Sequence, residues 1–251
     1  MRDLIIGSGS QLAYYLEGTR VSSRDIPYDV ITKHKWNRIY LCFAEQRTFI
    51  DNDDSFMKIN YDLTREVIDK LDKYCNEFVF YSTSLLWSGY EGVYNMSMPY
   101  SYKETGYLAS KQKITDYLID AENVSVHYPC NFNSKKRKGG FLFASLYDII
   151  NNKNRVKLRC LDFEKEITHV KYIATKSMNT RGNSIIAPGF LVNVRNLFGS
   201  ILNEVDMKLE DYVEETECTT FVKPNNYYYD VRDNNYSECD LVSSFVEELN
   251  D

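Results

Sequence analysis

The first half of this chain alternates short apolar runs with stretches of helical periodicity, and few folds accept that pattern. Leu4-Ile5-Ile6, Thr19-Arg20-Val21-Ser22, Arg38-Ile39-Tyr40-Leu41-Cys42-Phe43, Phe78-Val79-Phe80-Tyr81-Ser82 and Val124-Ser125-Val126-His127-Tyr128 read as five strands. Between them lie a helical stretch from near Gln11, a long helix from about Asp54 to Cys75, and another from about Tyr107 to Ala121. In the long helix Ile59, Leu63, Val67, Ile68 and Leu71 repeat at helical spacing. Strands alternating with helices are the signature of βαβ units, so the pattern predicts an α/β domain with a doubly wound parallel sheet. After Pro129 the pattern loosens. Residues 140–152 and 170–178 look helical, 155–163 extended, Asn183 to Ile186 strand-like and Val194 to Leu202 helical. The tail from about Lys208 is acidic and rich in Tyr and Asn; it reads as a small lobe of short segments.

Composition removes several function classes. With 251 residues and 43% hydrophobic content, one domain with a sizeable core is the economical expectation. A net charge of -6 speaks against nucleic acid, and the one dense basic run, Lys135-Lys136-Arg137-Lys138, is too short to reverse it. Six cysteines at 42, 75, 130, 160, 218 and 239 lack C-x-x-C spacing and have only three His beside them, so no metal site is expected. No apolar stretch approaches the ~20 residues of a membrane helix, and the N-terminus lacks a long apolar leader. Reduced cysteines in the cytoplasm are therefore expected.

Three places carry candidate chemistry. The turn Gly7-Ser8-Gly9-Ser10-Gln11-Leu12-Ala13 follows the first strand and opens a helix, an arrangement that aims amides at a pyrophosphate. Its small residues permit close approach, although Ser10 and Ala13 replace two glycines of the three-glycine dinucleotide fingerprint. At the end of the second strand stand Ser22, Ser23 and Arg24, where an NAD site would place an acid. Hydroxyls and a guanidinium suit the 2′-phosphate of NADP instead, so NADP(H) is favoured over NAD(H); solvated loop charges are the other reading of Arg20 and Arg24. Tyr107 and Lys111 share one helix face, and a cation one turn away moves a tyrosine from its usual ~10 toward a working range.

With those residues in view, the sequence resembles the extended short-chain dehydrogenase/reductase family, in the branch of NAD-dependent epimerases and dehydratases. The likeness covers most of the chain. Tyr81-Ser82-Thr83-Ser84 looks like that family's strand ending in an active-site Ser/Thr, with Thr83 at the matching position. Pro99-Tyr100 through Tyr107-Leu108-Ala109-Ser110-Lys111 is similar to its catalytic segment. Asn60 with Thr64, Tyr128-Pro129-Cys130-Asn131, Lys165 to Val170, and Asn183 to Leu197 resemble its further motifs in the same order. Tyr128 stands where the family usually has Arg. The resemblance implies a Rossmann-like doubly wound parallel sheet with a small C-terminal substrate lobe. Residues 1 to about 128 would mainly bind cofactor and about 129–251 would be mixed. It further implies Thr83, Tyr107 and Lys111 as catalytic residues. Gly7, Ser8, Gly9, Ser10, Gln11, Leu12, Ser22, Ser23, Arg24, Phe43, Ala44, Glu45, Tyr81, Ser82, Tyr107, Lys111, Tyr128, Pro129 and Asn131 would contact the cofactor.

The family acts mainly on nucleotide-diphosphate sugars. Its dehydratases carry an Asp-Glu pair after the active-site Thr, and Ser84-Leu85 here cannot move protons in that way. The expectation is an NADPH-dependent reductase of a keto group, at C4, on a nucleotide-diphosphate-linked deoxy sugar. By analogy it would serve polysaccharide biosynthesis. A 4-epimerase that retains NAD and a catalytically silent NADP(H)-binding protein are the alternatives. Ser84, Trp87, Asn131, Lys135, Lys136 and Arg137 are substrate-side candidates; the basic run either neutralises a diphosphate or is a solvated loop. Trp87, Tyr90 and Tyr94 flank a ligand or simply pack. His127 reads as a satisfied core histidine and His169 as structural. A homodimer through the helices near 59–71 and 107–118 is also implied.

Overall fold

The structure is a computed structural model that describes residues 2–47, 53–101, 105–137, 139, 141–216 and 227–250. Lys138 and Cys218, named above, lie outside the described residues. The main elements are β1 (Arg2–Ile6), α1 (Gln11–Tyr15), β2 (Thr19–Val21), β3 (Trp36–Leu41), α2 (Leu63–Leu71), β4 (Cys75–Tyr81), α3 (Gly106–Leu118) and β5 (Val124–Pro129). They continue with α4 (Leu142–Asn152), α5 (Val170–Asn179), β6 (Ser184–Ile186), α6 (Val194–Asn203) and α7 (Glu238–Asn250). Two compact units result. One holds residues 1–88, 96–130 and 173–186, the other 89–95, 131–172 and 187–251.

The first unit is a six-stranded parallel sheet in the order β2-β1-β3-β4-β5-β6. This is the doubly wound α/β class expected from the alternation. Leu4, Ile5, Ile6, Phe78, Val79 and Val126 are fully buried, as strands covered on both faces must be. The β1-to-β2 crossover uses only residues 7–18, close to the shortest that joins parallel strands. That brevity limits α1 to five residues.

The long helix expected over 54–75 is interrupted. An α-helical turn, Asp53–Phe56, leads into a π-helix, Met57–Asp62, before α2, and a 3₁₀ turn, Asp72–Tyr74, closes the segment. Cys75 already belongs to β4. Asn60 sits in the wide π turn, buried and fully engaged with groups outside its own helix. Regular helical periodicity hides such a widening, because the apolar spacing on either side is preserved.

The second unit packs α4, α6 and α7 around Phe143, Leu146, Leu197, Phe198, Leu241 and Phe245. Phe143 stacks on Phe245 at 5.1 Å between centroids and meets Phe198 edge-on at the same separation. The expected tail of short segments therefore contains a 13-residue helix. Its signal was present in Leu241, Phe245 and Glu248, which fall three and four apart on one buried face.

Candidate active site

In an open parallel sheet, ligands gather at the carboxyl ends of the strands where the strand order reverses. Here the chain leaves β1 toward β2, then returns to lay β3 on the other side of β1. The reversal lies between Gly7 and the Cys42-Phe43-Ala44-Glu45 stretch that follows β3. Gly7 adopts φ +104°, and a Cβ there would stand 2.7 Å from the Cys42 carbonyl carbon and oxygen, so glycine is required.

The turn spends part of its own hydrogen-bonding capacity. Gly7 and Ser8 N–H donate to the Val21 carbonyl, Ser10 N–H to Gly7, and the Ser10 hydroxyl accepts from Ala13 N–H at 3.1 Å as the N-cap of α1. The Gly9 and Leu12 amides take no part in these bonds, and a Cβ at Gly9 would meet nothing within 4 Å. This turn fits a pyrophosphate: open space above a glycine, and helix-start donors beneath it. Gln11 and Leu12 are buried under the turn, while Ser8 and Gly9 are exposed.

At the end of β2 the two arginines separate in role. Arg20 donates to the carbonyls of Ala13, Tyr14 and Leu16, and so closes the C-terminal end of α1. Arg24 is exposed, its backbone N–H bonded to the Ser22 hydroxyl, with Ser23 half-buried between them. Arg24, not Arg20, is the cation presented beside the turn's exit strand.

Asn60 joins this crevice to the helix carrying Tyr107. Its side-chain oxygen accepts from Glu45 N–H at 2.8 Å, and its amide donates to the Glu45 carbonyl and to Ser110 Oγ. Ser110 Oγ in turn donates to the Tyr107 carbonyl at 2.7 Å. The Glu45 carboxylate is occupied by Arg47, which holds its pKa below the usual carboxylate value. Phe43 is buried and Ala44 half-buried.

Thr83, Tyr107 and Lys111 all lie in the first unit. Thr83 ends the strand region in extended backbone, and its hydroxyl accepts from Leu85 N–H at 3.2 Å. That bond leaves the hydroxyl proton able to donate elsewhere. Tyr107 is half-buried in the first turn of α3, its ring edge-on to Phe56. Lys111 is buried, with Nζ 2.7 Å from the Tyr81 carbonyl oxygen and 4.7 Å from the centre of the Phe80 ring. Burial lowers its pKa to about 7, because a dry ammonium loses hydration that one carbonyl does not replace.

Several candidates turn inward instead. Ser82 Oγ pairs with Thr115 Oγ1 at 2.7 Å, both buried. Trp87 is fully buried, its indole N–H donated to the Met98 carbonyl, with Tyr100 and Tyr128 against its ring. Tyr128 is equally buried and shares a 2.7 Å hydroxyl contact with Tyr100. Burial and this contact push its phenol pKa up. Ser84 and Pro129 are also buried. In the present conformation Trp87 and Tyr128 are packing residues with no surface for a ligand. His127 departs from the expected satisfied histidine: Nδ1 meets Ser177 Oγ at 2.9 Å, but Nε2 is buried without a partner. Burial lowers its pKa to about 4.

The remaining candidates belong to the second unit. Asn131 is in the short strand Asn131–Asn133, paired with Ile167–His169. Lys135 is committed to α7: its N–H bonds the Glu248 carboxylate and its Nζ the Glu248 carbonyl, each at 2.7 Å. Tyr147 and His169 converge on the same carboxylate. The run is therefore not one solvated charge cluster. Lys136 is exposed, and Arg137 stacks 3.8 Å over Phe141. Lys135 and Arg137 edge a cavity of about 440 Å³ with Ser145, Tyr147, Asp148 and Asn151. Tyr94 is buried, donating to Glu166 at 2.9 Å; Tyr90 is half-buried. Among the described residues no group of three His, Cys, Asp or Glu could hold a metal ion, and no helix is long and apolar enough to cross a membrane.

No protein-family model and no curated protein sequence matches the chain. Solved structures do match its fold along its full length. MoeE5, determined with UDP-glucose and NAD, superposes with a TM-score of 0.76 at 12% identity, covering 100% of this chain and 99% of that one. RMD from Pseudomonas aeruginosa, determined with NADPH, gives 0.74 at 12% identity with both chains covered completely. The UDP-glucuronic acid 4-epimerase of Bacillus cereus, determined with NAD, gives 0.76 at 7% identity, covering 100% and 97%. The shared property is the fold of Rossmann-type NAD(P)-binding enzymes; at these identities the chemistry has to be argued from this chain's own residues.

Proposed function

We propose that the protein is an NADPH-dependent reductase of a keto group, at C4, on a nucleotide-diphosphate-linked deoxy sugar. The observation that carries the reading is the buried Lys111, held on the Tyr81 carbonyl one helical turn from Tyr107, beside the strand that delivers Thr83. A dry lysine with a single protein acceptor is expensive, and few structural roles require one.

When bound, the nicotinamide cofactor supplies the hydride. The turn at Gly7–Leu12 would hold the pyrophosphate, and Arg24 with Ser22 and Ser23 would meet the 2′-phosphate. Phe43, Ala44 and Glu45 border the crevice. Tyr107 donates its phenolic proton to the substrate carbonyl oxygen. Thr83 donates a hydrogen bond to that same oxygen, using the proton its contact with Leu85 leaves spare. Lys111, titrating near neutrality, supplies positive charge that favours the phenolate left on Tyr107. Asn131, Lys136 and Arg137 are proposed to serve the diphosphate of the substrate. A homodimer through the α2 and α3 faces belongs to the same reading.

Fluorescence titration with NADPH and NADH, on wild type and Arg24→Ala, tests it. NADPH should bind more tightly than NADH, and the variant should lose about tenfold for NADPH alone, the value of one charge-assisted contact. NADH preference, or cofactor that copurifies and never leaves, would favour a 4-epimerase, the activity that the NAD-bound Bacillus cereus neighbour bears in its name. Binding of neither would leave a silent scaffold.

A further inference from the structure

We propose that the buried Ser82–Thr115 hydroxyl pair is a positioning device that sets the register of α3 against the end of β4, and thereby holds Lys111 on the Tyr81 carbonyl. The inference rests on the reductase reading for its purpose, though the geometry stands without it.

Positions 107, 111 and 115 follow one another along a single face of α3. Consecutive strand positions receive two of them: the Tyr81 carbonyl takes Lys111 Nζ, and the next side chain, Ser82, takes Thr115 Oγ1. A helix fixed to a strand at two successive turns can neither slide nor roll, whereas fixation at one point permits both. Ser82 is itself anchored in the sheet by its N–H on the His127 carbonyl, and Thr115 is fully buried in the helix interior. Neither end can drift alone.

The choice of hydroxyls is informative. Ile114 and Leu118 already supply apolar packing on this helix, so a valine at 115 would fill the space equally well. A hydroxyl pair excluded from water adds directionality that packing lacks, and each member needs the other. Lys111 is the group that needs such support. Its long stem would otherwise carry the ammonium toward water, and Phe80 and the Tyr81 carbonyl are a slender hold. Among the described residues no charged side chain contributes to its lowered pKa; burial alone accounts for it.

The test follows Lys111 through stability and needs no ligand. The difference in thermal stability between a protein and its Lys111→Met counterpart is measured from pH 6 to 10; its pH profile reports where the folded lysine titrates. In the wild-type background that midpoint is expected near 7. In the Thr115→Val background it should move upward by about one pH unit or more, as the ammonium regains water. Thr115→Ser, which keeps the hydroxyl, should restore the wild-type midpoint. A Thr115→Val background with an unmoved midpoint would overturn the proposal, whatever its melting temperature. Should Thr115→Val fail to fold, Ser82→Ala poses the same question from the strand side. NADPH titration of the same set separates the two claims. A several-fold loss in Thr115→Val that Thr115→Ser lacks joins them. Failure of wild type to bind NADPH defeats the reductase reading, while the midpoint still decides the register.

Discussion

Arg38 and Lys111 are cations buried to the same degree in the same unit, each 3% exposed, yet the fold treats them in opposite ways. Arg38 donates to Glu77 at 2.7 Å and to the carbonyls of Ser177, Met178 and Thr180, so it closes the C-terminal end of α5. Glu77 is shared with Arg181 and with the Ser125 hydroxyl. Each nitrogen of that guanidinium donates within the scaffold. Lys111 has three ammonium protons, one carbonyl and an aromatic face. The first is a structural charge; the second, on the proposed reading, is a charge kept in reserve. Sites that must act on a ligand hold groups whose partners are not all in the protein, and stability is lower for it.

The largest effect expected from this contrast is at Glu77. Glu77→Gln would leave Arg38 buried without its carboxylate, and urea unfolding should show a loss of about 3–5 kcal/mol. A loss below about 1 kcal/mol would mean that the carbonyls of α5 alone satisfy the guanidinium.

Lys111→Met should act in the opposite direction, raising stability at pH 7 by on the order of 1–2 kcal/mol. The sign follows from the depressed pKa. Between about 7 and the usual 10.5, the folded protein binds fewer protons at Lys111 than the unfolded chain. Wild-type stability therefore rises with pH across that window, and the advantage of the Met variant, full below 7, vanishes near 10.5. Melting curves at pH 6, 8 and 10 check this; a variant less stable at every pH would show that Lys111 is structural.

Glu166, in the second unit, is the anionic counterpart. Tyr94 OH and Gly189 N–H donate to it at 2.9 Å, with Tyr229 N–H at 3.3 Å, yet burial outweighs them and raises its pKa to about 7. The folded protein holds an extra proton there between about 4.5 and 7, so stability falls as pH rises through that window. Glu166→Gln should gain about 1 kcal/mol at pH 8 and none at pH 4. Equal effects at both pH values would remove ionisation as the cause.

The smallest change is expected at an exposed pair. Glu66 and Lys70 sit four apart on α2 at 2.7 Å, each side chain about half exposed. Lys70→Ala should cost no more than about 0.5 kcal/mol, and 1 M salt should abolish the difference.

The sheet was legible because burial on both faces writes itself into sequence as apolar runs, and Gly7 was legible because only glycine accepts its backbone. Tyr107 and Lys111 stood out by sharing one helix face, and their catalytic assignment together with Thr83 came from the family resemblance. The rest depends on partners remote in sequence. Arg38 was read merely as the start of a strand, since its acceptors lie some 140 residues away. Ser82 was assigned to the cofactor because nothing local announces Thr115. Lys135 was read within a basic run, although Glu248 on α7 claims it. The π-helix at Asn60 was hidden for the same reason, its partners being Glu45 and Ser110. The helix Glu238–Asn250 is the exception, for its apolar spacing was available and lay beneath an acidic, tyrosine-rich composition.

The most direct test of the account is a nicotinamide-fluorescence titration of NADPH against wild type and Lys111→Met. The account predicts tight binding by wild type and a loss of tenfold or more in a variant that is folded and more stable. Equal NADPH affinity in the two proteins would contradict it, because Lys111 would then be neither a structural charge nor a functional one.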